Sequence, residues 1–337
     1  MLLLCFALQM VCIIVLVHVG NDLYFSLNPP KRCLLVLSDM GEKDAVLRKI
    51  NRYKMQWQVA DIALADDPAI INRMRDVETV FLAGLPPTTQ IMLLKDCYAL
   101  QRDVLCMAQL EDIMISNARQ VIIDDCPFLS MEYHRMTIGQ RIIKRLMDIV
   151  ISLLVLLIAF PVLAVIALAI LAEDGRPIIF RQKRMSVNGR VFRICKFRTM
   201  TKESSAQKDQ VSCEAGDKRI TRTGQILRRL RLDELPQFWN ILKGDMTIVG
   251  PRPEMLENVE KYKAQLPSFV YREKMKAGLT GFAQIEGRYN TTPQDKLMLD
   301  LMYIESFSIW TDIKLIFRTL TVFFKSDSTE GFNSKQE

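Results

Sequence analysis

The sequence predicts a membrane-associated α/β protein: an N-terminal membrane helix, a Rossmann-like parallel-sheet domain, a re-entrant membrane helix, and a mixed α+β domain towards the C-terminus. Three observations lead there. Two long apolar runs, Met1 to Val19 and Ile149 to Ala172, interrupt a chain that is otherwise 25% charged. Between them, short apolar runs alternate with helix-like stretches at the spacing of β-α-β units. The charge also divides: residues 1–172 carry 16 Lys+Arg against 17 Asp+Glu, and residues 173–337 carry 29 against 21.

At 337 residues the chain is long enough for two domains with separate cores. Half of it is hydrophobic and its mean hydropathy is +0.11, above the needs of a soluble enzyme and below a polytopic transporter. The eight cysteines are scattered without a Cys-x-x-Cys pair, which excludes a disulfide framework or a zinc site and fits a reducing compartment. His18 and His134 are the only histidines, so chemistry relying on a histidine base in the C-terminal half is excluded. The absence of Gly-x4-Gly-Lys-Ser/Thr argues against a P-loop ATPase.

The first element, residues 1–20, has no basic start and no small-residue cleavage site, which favours a membrane helix over a removed signal peptide. Lys31 and Arg32 follow it and no Lys or Arg precedes it, placing the next domain in the cytoplasm. Asn28-Pro29-Pro30 reads as the linker. In residues 31–131, strands are expected at Cys33–Leu37, Trp57–Ala63, Val77–Ala83, Asp103–Ala108 and Val121–Ile123. The turn after the first strand reads Ser38-Asp39-Met40-Gly41 rather than Gly-x-Gly-x-x-Gly, favouring a regulatory or structural domain without a dinucleotide.

Residues 141–172 form the basic linker and second apolar run, long enough to span a bilayer of about 30 Å. Both flanks are basic, with Arg141, Lys144 and Arg145 before it and Arg176, Arg181, Lys183 and Arg184 after it. A straight span would put one cluster on the wrong side. Pro161, near the midpoint, removes a helix hydrogen bond, so a helix-break-helix that enters one leaflet and returns is expected.

The chemistry falls in residues 173–325. Phe180 to Met200 carries seven basic residues and no acid, with Asn188-Gly189 marking a type I′ hairpin turn. Strand alternation puts Lys196 and Arg198 on one face, as candidates for phosphate binding; Arg181 and Lys183 read as a solvated or lipid-headgroup face. Next, Ile226, Leu227 and Leu230 oppose Arg228, Arg229 and Arg231 on an amphipathic helix suited to a membrane surface. Asp233-Glu234 precedes Pro236 near the positive end of a helix dipole, among arginines that favour its ionised form. Alone, such a pair is a helix cap; among cations it is a candidate nucleophile or Mg2+ ligand. Gly250-Pro251-Arg252-Pro253 is a rigid turn that fixes one guanidinium, whose fork suits a diphosphate.

These motifs follow in order: Lys144-Arg145 with Asp148, Lys196-Phe197-Arg198-Thr199-Met200, Leu232-Asp233-Glu234-Leu235-Pro236-Gln237, Trp239-Asn240, Lys243-Gly244-Asp245-Met246, Val249-Gly250-Pro251-Arg252-Pro253-Glu254, Gly278-Leu279-Thr280-Gly281, Gly287-Arg288, and Asp300 with Tyr303-Ile304. From about Arg141 to Leu320 the chain resembles the bacterial sugar transferase family, the monotopic polyprenyl-phosphate hexose-1-phosphate transferases, in its larger form with a Rossmann-like domain. It departs from the family pattern at Phe160-Pro161, where many members have Ser-Pro, and at Ser186, where the hairpin usually has its first glycine. The single N-terminal apolar segment contrasts with the roughly four of larger members, as expected either of a shortened form or of a truncated gene model.

The resemblance implies transfer of a sugar 1-phosphate from a UDP-sugar to undecaprenyl phosphate at the cytoplasmic face of the bacterial inner membrane, releasing UMP, with Mg2+ as cofactor. It gives Asp233 the role of nucleophile in a covalent phosphosugar intermediate and Glu234 that of metal ligand or proton handler. It makes Asp300 an acid near the metal or phosphate site. Charge adds Lys196, Arg198, Arg252 and Arg228 or Arg229 as phosphate partners. Exopolysaccharide, capsule or O-antigen synthesis is the implied setting; membrane lipid and a second copy of the chain are further partners. The absence of Asp-x-Asp argues against an ordinary metal-dependent sugar transferase, and no base-reading motif supports a nucleic-acid partner. The competing reading is a catalytically silent scaffold for anionic lipid, which explains the charge but not the ordered motifs.

Overall fold

The computed structural model describes residues 2–131, 136–202, 219–287 and 292–323. His134, Cys213 and Arg288 lie outside the described residues. The chain divides into two compact units that meet between Ala108 and Gln109.

In the first unit, α1 (Leu2–Leu27) continues past residue 20, because Asn21 to Leu27 contains no breaker and the first prolines are Pro29 and Pro30. Strands β1 (Lys31–Leu37), β2 (Trp57–Leu64), β3 (Thr79–Ala83) and β4 (Asp103–Cys106), joined in turn by α2 (Lys43–Ile50), α3 (Ile70–Arg75) and α4 (Pro87–Ala99), then form one parallel sheet in the order β2-β1-β3-β4. The central strand β1 is a continuous apolar run because both of its faces are covered. Leu34 and Val36 pack with Met74, Leu93 and Cys97; Leu35 and Leu37 pack with Ile50 and Trp57.

The strand order reverses between β1 and β3, the place where an open α/β sheet takes a ligand. Here Ser38 Oγ donates to Gly84 O at 2.7 Å, and the Asp39 carboxylate accepts from Gly41 N at 3.0 Å. Gly84 has φ +65°, and a Cβ there would stand 2.6 Å from Glu42 Oε2. The turn therefore satisfies part of its own backbone with the Ser38 hydroxyl and the Asp39 carboxylate.

Val121–Ile123 is not a fifth parallel strand. It lies in the second unit within β5 (Arg119–Ile123), antiparallel to β6 (Cys126–Ser130). Asp124-Asp125 joins them, with Asp124 at φ 58°, and so short a turn leaves no length for a crossover.

The second unit begins with α5 (Leu110–Ile115), and the apolar run forms α6 (Ile138–Asp174), capped by a reciprocal Thr137–Gln140 box. The expected break at Pro161 does not interrupt it: α6 is continuous through that residue. A proline removes one backbone donor and crowds one carbonyl, which bends a helix without requiring its neighbours to unwind.

Both ends of α6 are fastened to this one unit. Near the start, Lys144 Nζ donates to Val249 O at 3.0 Å and pairs with the buried Asp312, while Asp148 accepts from Thr247 Oγ1 and Ile248 N. At the far end, Glu173 accepts from Arg222 N and Thr223 N, and Asp174 pairs with Arg198 at 3.1 Å. Between them Leu153, Leu154, Leu157, Ile158 and Phe160 are exposed.

After α6 come the hairpin β7 (Ile179–Met185) and β8 (Val191–Phe197), α7 (Arg222–Arg229), α8 (Gln237–Lys243) and β9 (Thr247–Val249). These are followed by α9 (Leu256–Gln265), β10 (Gly278–Thr280), α10 (Phe282–Ile285), α11 (Pro293–Glu305) and α12 (Ile309–Phe323). Asn188 at φ 53° and Gly189 at φ +72° make the type I′ geometry at the hairpin tip, with Arg190 N donating to Val187 O. Ser186 uses its hydroxyl structurally: it accepts from Ala277 N at 3.1 Å and donates to Asp245 O at 3.3 Å. The core gathers Phe192, Ile194, Ile241, Ile248, Phe269, Leu301 and Tyr303.

Candidate active site

The acid pair occupies a single 3-10 turn, Leu232–Glu234, which leads through Leu235 and Pro236 into α8. Asn240 on α8 fixes its position. This buried amide accepts from Cys195 N and donates to Arg193 O, both at 2.8 Å, locking α8 against β8. The next residue on β8 is Lys196, whose ammonium donates to Glu234 Oε1 at 2.7 Å.

Arg252 comes from the turn that follows β9. Pro251 and Pro253 are buried while Arg252 between them is exposed, so the prolines anchor the turn and present the guanidinium. The turn stands at a close backbone approach: a Cβ on Gly278 would lie 2.1 Å from Gly250 N, which leaves room only for glycine. Arg252 Nη2 lies 3.7 Å from Glu234 Oε1. Arg184, Ile194, Lys196, Glu234, Gln237, Arg252, Pro253, Gly278 and Leu279 line one pocket of about 270 Å³.

The two acids titrate in opposite directions. Burial pushes the Glu234 carboxyl up, but Lys196 and Arg252 outweigh it and bring it down to about 2. Asp233 is raised, by burial and by the charge of Glu234, against the pull of Lys196 and Arg228. The sequence reading that cations hold both acids ionised therefore applies to Glu234, whereas Asp233 is made more basic. A more basic carboxylate is a better nucleophile as long as it is ionised.

The structure brings together Asp233, Glu234, Lys196 and Arg252, with Arg228 close enough to act on Asp233. Arg228 Nε also donates to Thr199 Oγ1 at 2.8 Å, whereas Arg229 is exposed on α7. Arg198 departs from expectation. It is buried and donates to the carbonyls of Asp174 and Gly175 at 3.0 and 2.8 Å, clamping the end of α6. Strand alternation paired it with Lys196, but β8 ends at Phe197 and the carbonyls of a helix C-terminus attract a cation.

Asp300 departs as well. It is buried on α11 and pairs with Arg272 at 2.6 Å, not with the acid pair. Arg272 in turn donates to Arg252 O at 2.6 Å, so Asp300 supports the turn that carries Arg252. The amphipathic expectation for α7 holds in part: Leu227 is buried against α6, while Ile226 and Leu230 are exposed.

Among the described residues no group of three or more His, Cys, Asp or Glu side chains is placed to hold a metal. Asp233 and Glu234 offer two adjoining carboxylates. That suits Mg2+, which takes one or two carboxylates and completes its shell with water and phosphate oxygens.

Residues 139–326 match the model of a protein family described as bacterial sugar transferase. The chain is 43% identical over 190 residues to the UDP-glucose:undecaprenyl-phosphate glucose-1-phosphate transferase of Escherichia coli K12, covering 54% of this chain and 40% of that protein. It is 39% identical over 181 residues to a UDP-N-acetylgalactosamine-undecaprenyl-phosphate N-acetylgalactosaminephosphotransferase of Aeromonas hydrophila, covering 53% and 43%. A protein of Caulobacter vibrioides named as a UDP-glucose:undecaprenyl-phosphate glucose-1-phosphate transferase is 38% identical over 190 residues, covering 55% of this chain and 71% of that one. The matched stretch thus spans about two fifths of the first two relatives.

Proposed function

The chain belongs to the bacterial sugar transferase family, and from that membership we propose that it transfers a sugar 1-phosphate from a UDP-sugar to undecaprenyl phosphate, releasing UMP. The observation that carries the reading is the cluster at this site: an ionised Glu234 that lines the pocket with Lys196 and Arg252, and beside it in the same turn Asp233, made more basic. Phosphoryl transfer needs positioning and charge neutralisation rather than a histidine base, and this pocket supplies both.

Asp233 attacks the sugar-bearing phosphorus and forms a phosphosugar-enzyme intermediate; the lipid phosphate then takes the phosphosugar from it. Lys196 and Arg252 hold phosphate oxygens, with Arg228 tuning Asp233. Asp233 and Glu234 would hold Mg2+, which when bound neutralises diphosphate charge. Arg198 and Asp300 act at one remove, Arg198 on the end of α6 and Asp300 through Arg272 on the Arg252 turn.

Helix α6 sets the depth of this chemistry by bending at Pro161 without unwinding, so that it enters one leaflet and its far end comes back to the cytoplasmic side. Support comes from its two ends, both bound to the same folded unit. The residues between Ser152 and Leu163, the inner limits of its packing, make only about 15 Å of helix, half the hydrocarbon thickness of a bilayer. A lipid phosphate and a water-soluble nucleotide sugar meet at that depth. The setting is the bacterial cytoplasmic membrane, at the start of exopolysaccharide, capsule or O-antigen assembly, with a homodimer as the working form.

The test is nucleotide release by detergent-solubilised protein given Mg2+, undecaprenyl phosphate and a panel of UDP-sugars, beside Asp233→Asn. Lipid-dependent UMP from one sugar, lost in the variant, supports the reading. Release of UDP, or UMP release that survives Asp233→Asn, overturns it.

A further inference from the structure

Arg184 lies in a run of basic residues that the sequence assigns to the flank of the membrane segment, and the structure places it elsewhere. In the β7–β8 register, Arg184 faces Phe192, Gln182 faces Ile194 and Phe180 faces Lys196. These residues share one face of the hairpin, and Arg184, Ile194 and Lys196 all line the pocket of Glu234 and Arg252. Arg181 and Lys183 stand exposed on the other face.

The Arg184 guanidinium is held but not neutralised. Nη1 donates to Pro253 O at 3.2 Å and Nη2 to Gln182 Oε1 at 2.6 Å. Nε is buried without a hydrogen-bond partner, and among the described residues no carboxylate lies within ion-pair distance of Arg184. Burial, then the neighbouring Arg252, pulls this guanidinium down to about 10. A desolvated cation with an unused donor is costly to keep unless an anion completes it.

The charges along the pocket are ordered. Lys196 and Arg252 both reach Glu234 Oε1, at 2.7 and 3.7 Å, and Arg184 holds the carbonyl of Pro253, the residue after Arg252. The row therefore runs from Lys196 through Glu234 to Arg252 and Arg184, and Asp233, beside Glu234 in the same turn, has Lys196 as its strongest charged neighbour. A diphosphate laid along it, with its sugar-bearing phosphorus at Asp233, brings its second phosphate to the Arg184 end.

Resting on the reading of the preceding subsection, we propose that Arg184 binds the phosphate of the leaving nucleoside monophosphate, a role separate from the sugar-phosphate contacts of Lys196. In the transfer, the bond from an Asp233 oxygen to phosphorus forms as the bond from that phosphorus to the bridging oxygen breaks. The electron pair stays on the bridging oxygen and the monophosphate departs as an anion. Arg184 receives this charge as it develops.

The experiment measures binding of UMP alone to the full chain in detergent, with steady-state kinetics for both substrates, in wild type, Arg184→Gln and Arg184→Lys. Loss of a charge-assisted contact is expected to weaken UMP by about tenfold or more in Arg184→Gln, with the KM for undecaprenyl phosphate unchanged. A purely structural arginine would move both, through the Pro253 contact, and that outcome overturns the proposal. So does wild-type UMP affinity in Arg184→Gln. Should that variant not fold, Arg184→Lys decides: weakening of about threefold or more supports the role, since lysine lacks the guanidinium fork, and unchanged affinity overturns it. Wild-type protein that neither binds nor releases UMP sinks the transferase reading itself, whereas a wild type that does both beside an unaffected Arg184→Gln sinks only this role.

Discussion

Lys196 Nζ donates to Glu234 Oε1 at 2.7 Å, joining the last residues of a β-hairpin to the turn that carries the acid pair. This contact divides the labour of two adjacent carboxylates. It helps to hold Glu234 ionised and so leaves a negative charge beside Asp233, which raises the second acid. One lysine thus stabilises the dyad while Glu234 keeps the nucleophile basic.

The pH dependence follows from that division. Asp233 is raised from the ordinary 3.8, so its ionised form is lost as pH falls through a value above that of a free aspartate. The acid limb of kcat/KM for UMP release is therefore expected above 3.8. Lys196→Met removes a charge that pulls Asp233 down; it should shift the limb further up and lower kcat/KM by about a hundredfold or more. A limb that stays in place in Lys196→Met would show that the two groups are not coupled.

Lys144, Asp312 and Tyr303 form a buried polar knot that ties the start of α6 to β9, just ahead of the Arg252 turn. Removing one member leaves the other charge uncompensated, which costs about 3–5 kcal/mol. Lys144→Met should lower the melting temperature in detergent by about 10 °C. Lys144→Met combined with Asp312→Leu should recover part of that loss, because the pair is then replaced by apolar groups. A double variant less stable than the single one would argue against this account.

Asp300 offers a separate test. Burial raises its carboxyl to about 6, with Arg272 opposing. Its folded value exceeds its unfolded one, so the native state binds more protons than the unfolded state between about 4 and 6, and stability contributed by this group falls as pH rises through that window. In Asp300→Asn the fall should be shallower, read as melting temperature against pH from 4 to 7. Because Arg272 then loses its shortest ion pair and keeps only the longer one to Glu254, the Arg252 turn should loosen and KM for the UDP-sugar should rise.

The sequence makes the grouping of Asp233, Glu234, Lys196 and Arg252 legible because each sits in a short motif whose local backbone already constrains it. The parallel sheet is legible for the same kind of reason, since β1 is apolar throughout and needs cover on both faces. What sequence misses depends on register and on where elements end. Arg198 shares parity with Lys196, yet β8 stops one residue before it and the end of α6 claims its guanidinium. Alternation separates Arg184 from Lys183, but only the hairpin pairing shows that the Arg184 face is the one that carries Lys196. Asp300 looks like a site acid, but its partner Arg272 lies in a segment with no motif at all. Val121–Ile123 has the composition of a core strand, and only the two-residue turn behind it reveals a hairpin.

The topology of α6 yields the last prediction. Its flanks carry Arg141 and Arg181, both exposed, and the polar contacts near each flank belong to one folded unit. That unit cannot occupy both sides of a bilayer, and a helix crossing it fully would have to pull Glu173 and Asp174 away from Arg222, Thr223 and Arg198. Cysteines introduced one at a time at Arg141 and Arg181, in a background where Cys5, Cys12, Cys106, Cys126 and Cys213 are serine and only the buried Cys33, Cys97 and Cys195 remain, report this directly. In inverted membrane vesicles, whose cytoplasmic face is outward, a membrane-impermeant maleimide should label both positions to the same extent. In right-side-out vesicles it should label neither until detergent is added. Labelling of one position from each side would mean that α6 spans the bilayer, and the contacts at one of its ends would then have to be given up in the membrane.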